Sequence, residues 1–339
     1  MTAALALAAL AALAGPTQES VQPAPLFVLE VDARVDLWFE VRAHALDRET
    51  SAPATYSAAV EALREVGRTV ATPRFVSLLD GIALSAPADA PLADAFDAPL
   101  RLPPRAIAPG SSAAEVLAAA RAAAEEIDAL LPAFEESEWP ARARALEGAR
   151  TAIAEALPAE LVPAVRDDIE RTLGLAPSSE PVRMHGVTRM PPPGGVTLRT
   201  AGGEPRCVVR LTDRTPALAT EVVLHELLHA LVARQSKPRD LFRAVSAGLR
   251  AREIGDDRWR TNAVHTLYFL AAADLVRTHV DPEHVDYGES EGVYRRAGRL
   301  ASTARPLWVE LRAGEIDGAA FAAAVVEAWT PIAGSEDGD

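Results

Sequence analysis

The sequence predicts a mainly α fold of the α+β kind, with a small β-sheet beside one buried helix. Three observations lead there. Apolar residues recur at helical spacing along most of the 339 residues. Alternating, strand-like runs are few and short, at Leu26–Val31, Val196–Arg199 and Cys207–Thr212. One helical stretch, Val222–Ala233, is apolar on nearly all faces, and such a helix must be enclosed by other elements.

The elements follow in order. Leu26–Val31 reads as a strand, and Asp32–Asp47 and Thr55–Val70 as helices with apolar stripes. Ser85–Gly110 carries Pro87, Pro91, Pro99, Pro103, Pro104 and Pro109, a density that prevents long helices and predicts a loop. Ser111–Leu131 is an Ala-rich helix whose Ser112 and Glu115 form a capping-box pattern. Helices are expected over Ala141–Leu157 and Ala159–Leu173, the second closed by Gly174. Ala176–Pro205, with three consecutive prolines and two Gly-Gly pairs, reads as irregular. Beyond it Thr215 is a candidate N-cap and Pro216 a good first helical residue for a helix to about Ser236. Further helices are expected at Leu241–Arg252, Trp259–His279, Glu289–Ala304 and Gly314–Trp329.

This divides the chain into residues 1–18, a helical N-terminal region at 19–180, a chemistry-bearing region at 181–333 and an acidic tail at 334–339. Ala3–Ala14 contains only Ala and Leu, and Ala12-Leu13-Ala14 before Gly15 has the small residues of a cleavage site. These features predict a secretory signal peptide and an exported protein, periplasmic or extracellular. No Lys or Arg precedes Arg34, so the usual positive start is missing and an uncleaved N-terminal membrane anchor is the alternative. No other stretch reads as a membrane span.

Composition narrows the function. The formal net charge of −14 argues against a nucleic-acid partner and against docking on an anionic membrane. Cys207, the single cysteine, allows no intrachain disulfide and reads as a buried small residue. No phosphate-binding glycine loop or Gly-x-Ser-x-Gly turn occurs.

The chemistry sits in His225-Glu226-Leu227-Leu228-His229. Residues four apart share one helix face, so both imidazoles can reach one cation at about 2.0–2.1 Å. Glu226, next to the first ligand, can reach a water there without joining the ligands. Apart from Glu226, no charged residue interrupts Val222–Ala233. Polar groups inside so apolar a helix need partners, and a metal ion supplies them.

This HExxH segment resembles the active-site helix of the zincin metallopeptidases. The strand at Cys207–Thr212 stands where zincins often place a strand lining the cleft. More loosely, the back half resembles uncharacterised bacterial zincin-like proteins, in which a helix with His and aromatics (here His265 to Phe269) and a Tyr-rich segment (Tyr287, Tyr294) follow. The resemblance implies an exported zinc-dependent hydrolase acting on peptides or proteins, with Glu226 as general base. A non-catalytic metal-binding or structural helical envelope protein is the alternative. A catalytic zinc needs a third protein ligand. Val232 and Gln235 stand where metzincins have Gly and His, which excludes that subclass. His265 is the leading candidate, with Glu253 and then Asp240 as alternatives. Tyr294 and Tyr287 are candidate oxyanion stabilisers, as are His284 and Arg295.

Overall fold

Strand β1 (Phe27–Val31) pairs in parallel with β2 (Val182–Val187), which lies more than 150 residues later in the chain. The computed structural model describes residues 24–333, apart from 48–51, 72, 88, 98–106, 191–193, 201 and 236–239. The expected leader and the acidic tail lie outside the described residues. On its other edge β2 pairs in parallel with β4 (Pro205–Arg210), and β4 pairs antiparallel with β3 (Gly195–Arg199). The order is therefore β1-β2-β4-β3, with β1 and β3 at the edges.

The two faces of this sheet meet separate apolar layers. Side chains alternate across a strand, so Cys207 and Val209 point one way and Val208 the other. Val187, Leu198 and Val208 join the layer built by α1 (Ala33–Leu46), α2 (Ser57–Thr69), α3 (Pro73–Ala83) and α4 (Ala113–Ser137). Leu29, Met184, Cys207 and Val209 join the layer containing α5 (Trp139–Ala156), α6 (Val162–Leu173) and α7 (Pro216–Arg234). That second layer is completed by α8 (Leu241–Ala251), α9 (Asp257–His279), the short α10 (Tyr287–Ser290), α11 (Val293–Ala313) and α12 (Gly318–Ala333). The expected boundary near residue 181 falls between α6 and β2, and β1 with α5 and α6 reaches across it.

The fold is mainly α with a small mixed sheet, as the patterning predicts. Local signals hold where their geometry can be checked. Ser112 Oγ accepts from Glu115 N while Ser112 N donates to Glu115 Oε2, completing the capping box of α4. Gly174 takes the left-handed conformation, φ 66°, that closes α6. Thr215 accepts from Leu218 N at 3.3 Å and starts α7.

Three expectations change. Val182–Val187 lies inside the segment read as irregular, yet it is a central strand. It is buried on both faces, so its sequence does not alternate. Helix α3 occupies Pro73–Ala83, where no element was assigned. The helix expected at Glu289–Ala304 is two, divided at Gly292 with φ 68°. The membrane reading also needs a correction. Pro216–Arg234 is long and apolar enough to cross a membrane by length and composition, and 67% of its apolar window is enclosed within the fold. Its apolar surface packs against the sheet on one side and α9 on the other.

Candidate metal centre

Helix α7 carries Glu221, His225 and His229 on one stripe, because four residues advance the helix by slightly more than a turn. Helix α9 packs against α7 and presents His265 to the same point. Nε2 of His225 lies 3.0 Å from Nε2 of His265 and 3.2 Å from Nε2 of His229. The three donor atoms all fall within 4.8 Å of one another, and this group could hold a metal ion.

The electrostatics of the group fit that use. Burial pushes His229 down to about 3 and His265 to about 4. His225 is held well below the ordinary imidazole range, by burial first and then by the neighbouring histidines. The rings are thus neutral at pH 7, and no carboxylate pairs with them among the described residues. A neutral imidazole has one N–H, and with that proton on Nδ1 each Nε2 presents a lone pair to the common point. In that tautomer the three lone pairs are free to ligate one cation. A tetrahedral ion holding imidazoles at about 2.0–2.1 Å separates their nitrogens by roughly 3.3 Å, close to the two separations measured from His225.

Aromatic rings lock the ligands in place. Tyr268 stacks on His229 at 3.8 Å between centroids, and Phe242 stacks on the other face of Tyr268 at 3.9 Å. Phe269 packs on His225 at 4.2 Å and on His265 at 4.9 Å. Tyr268 and Phe269 thus pack on all three histidines, since 268 and 269 lie on either side of the His265 face. Tyr268 was not singled out as a site residue by the sequence. Its position three residues after His265 is the signal that could have found it.

Glu226 is held from the sheet side of α7 by β3. Thr197 on β3 donates to Glu226 Oε2 at 2.7 Å and to the Glu226 carbonyl at 3.1 Å. Cys207 donates to the same carbonyl at 3.4 Å and lies 3.3 Å from Thr197 Oγ1, so its thiol is a packing group with two weak hydrogen bonds. Gly195 is required by close approach, since a Cβ there would lie 2.6 Å from Glu226 Oε1. Burial pushes the Glu226 carboxyl up to about 7, and the Thr197 hydrogen bond pulls it partly back. A carboxyl with that value exchanges a proton easily near neutrality. The strand nearest Glu226 is the edge strand β3, whereas the expected cleft strand at Cys207–Thr212 became the inner strand β4.

The other candidates fall elsewhere. Glu253 is exposed beyond the end of α8, with φ 55°, and is not in the histidine group. Asp240 caps α8 through Arg243 N at 2.8 Å. Tyr287 lies one ring behind the centre, stacked on Phe269 at 5.7 Å with Arg214 over its other face. Tyr294 is buried against Gly288 and lies under Arg305. His284 is committed to Glu221 Oε2 at 2.7 Å, which also accepts from Tyr287 N. The side chain of Arg295 is outside the described residues.

A cleft of about 900 Å³ opens over the group, lined by His229, His265, Tyr268 and the facing parts of α8 and α9. His225, Glu226, Tyr287 and Tyr294 are not among its lining residues. No protein-family model matches this chain, and no curated protein or solved structure matches it significantly.

Proposed function

We propose that this protein is an exported zinc-dependent hydrolase that cleaves peptide bonds. The observation that carries the proposal is the convergence of three neutral imidazole nitrogens beside a buried carboxyl poised near neutrality. Three nitrogen ligands with room for a fourth partner suit zinc, and the cleft supplies that room. Export rests on the apolar run Ala3–Ala14, and the peptide substrate on the resemblance of His225–His229 to the zincin helix.

The residues divide the work. His225, His229 and His265 would hold the ion, with Tyr268 and Phe269 fixing the ring planes. Zinc, when bound, supplies Lewis acidity to a substrate carbonyl and lowers the pKa of a water to around 7. Thr197 occupies Oε2 of Glu226 and leaves Oε1 as the working oxygen. Glu226 takes a proton from the attacking water and returns it to the leaving nitrogen. Gly195 keeps that oxygen free of a side chain.

The test is Glu226→Gln in the full chain. The variant should retain one equivalent of zinc by elemental analysis. Hydrolysis of a mixed-peptide library should fall by about 10²–10⁴-fold, the usual worth of a general base. A zinc-loaded wild-type protein that cleaves no peptide in the library overturns the enzyme reading and leaves a metal-binding protein. Absence of any bound metal after zinc is supplied overturns both.

A further inference from the structure

We infer that the cleft over the histidine group selects anionic peptides, recognising a carboxylate two or three residues from the bond to be cleaved. The inference rests on the hydrolase reading above and deepens it. Arg243, Arg250, Arg258 and Arg260 line the cleft with His229 and His265, and Asp257 is its one acidic wall residue. This is a local excess of cations on a chain whose net charge is −14. Such a reversal of sign in a concave wall focuses the field on the bound molecule.

The four arginines are not equivalent. Arg260 pairs with Asp257 at 2.8 Å and also donates to the carbonyls of Ile254 and Gly255, so it buttresses the turn into α9. Arg243 pairs with Asp240 at 3.5 Å and donates to the Val232 carbonyl, tying α8 to the end of α7. Arg250 and Arg258 are exposed and make no hydrogen bond or ion pair among the described residues. The paired arginines already neutralise the local acid. The cleft therefore keeps two exposed guanidinium groups, of which Arg250 also helps to lower the Asp257 carboxyl.

Helix geometry places one of them relative to the centre. Arg258, Thr261 and His265 occupy positions i, i+3 and i+7 of α9, which share one face. The seven-residue step puts Arg258 about 10 Å along the axis from His265 at 1.5 Å per residue. An extended peptide covers that distance in roughly three residues at about 3.3 Å each. Arg250 lies on the facing helix, α8, so the two guanidiniums flank the same part of the cleft. A planar guanidinium favours two-point binding of a carboxylate.

The test has two arms. The first incubates the zinc-loaded full chain with a peptide library and reads the cleavage sites by mass spectrometry. Asp or Glu should be enriched within three positions of the cleaved bond. The second uses fluorescent peptides on the Glu226→Gln variant, which reads affinity without turnover. An acidic peptide should bind more tightly than its Asn/Gln analogue. Adding Arg250→Ala and Arg258→Ala should erase that difference, each by about 3- to 5-fold, the usual worth of an exposed ion pair. Comparing amidated with free C-termini separates a side-chain carboxylate from a terminal one.

Cleavage without acidic enrichment, together with equal binding of the two peptides, overturns this inference and leaves the hydrolase standing. An acidic preference untouched by the double substitution also overturns it. If nothing is cleaved, the hydrolase reading fails. The inference then stands or falls as a binding preference on the second arm.

Discussion

Helix α9 carries two histidines in opposite situations. His265 lies in its first half and faces His225 at 3.0 Å, with no acid paired to it among the described residues. His279, about 21 Å further along the axis, ends the helix against Asp168 Oδ2 at 3.0 Å. Asp168 also takes Arg312, Arg171 and Thr172, so a complete set of partners surrounds it. His284 with Glu221 repeats that second pattern. A buried histidine paired with a carboxylate is satisfied by the protein itself. Histidines that face only one another form a group that could hold a cation. The difference between the two ends of one helix separates a structural polar cluster from a site.

The contrast can be broken most sharply at its first end. His265→Ala should reduce bound zinc from one equivalent to background while circular dichroism stays unchanged. Zinc retained at full stoichiometry would show that His265 is not a ligand. Loss should exceed the roughly 10- to 100-fold in affinity expected when only a group orienting a ligand is removed.

The second end should respond in stability rather than in metal content. Asp168→Asn takes its anion from His279 and one of two from Arg312, and should cost about 3 kcal/mol, the low end for breaking a buried pair, because Arg312 keeps Asp274 at 2.9 Å and Arg171 is largely exposed. Denaturant unfolding reads this, with zinc stoichiometry unchanged. Its pH dependence has a definite sign. Burial alone would raise the Asp168 carboxyl, but its bonds with Arg312 and His279 outweigh that and hold it at about 2. Its contribution is therefore fully present above the ordinary carboxyl value near 4 and disappears as pH falls through about 2. The wild-type stability curve should drop over that window, and the Asp168→Asn curve should be flatter there.

Two milder substitutions sharpen the comparison. Tyr268→Leu removes the ring stacked on His229 and leaves all three ligands. Zinc affinity should fall about 10-fold, measured by competition with a chelator. A loss as complete as that of His265→Ala would mean that the stack does more than orient. His279→Gln should have the smallest effect, about 1 kcal/mol for one hydrogen bond, because Asp168 keeps its arginines. Thermal unfolding reads that change, and zinc binding should not move.

How far the sequence reached depends on the range of the interactions involved. Capping of α4 by Ser112 and Glu115 was legible because both partners lie within one turn. The shared face of His225 and His229 was legible for the same reason. Strand β2 was not, because the alternation that marks a half-buried strand vanishes when both faces are covered. Tyr287 and Tyr294 looked suited to the site by residue type, yet Phe269 stands between Tyr287 and the histidines.

The amino-acid sequence by itself determined the mainly helical class, the small sheet, and a metal-ready pair of histidines with Glu226 beside them. Periodicity and spacing suffice for these, since they concern residues within a few positions of one another. Only the tertiary structure decided that His265 joins the pair across 40 residues, that β3 rather than β4 holds Glu226, and that unpaired arginines line the cleft. Those outcomes depend on how α9 packs on α7 and how β3 takes the sheet edge. Packing of distant segments is set by the whole apolar core, and no local spacing rule encodes it.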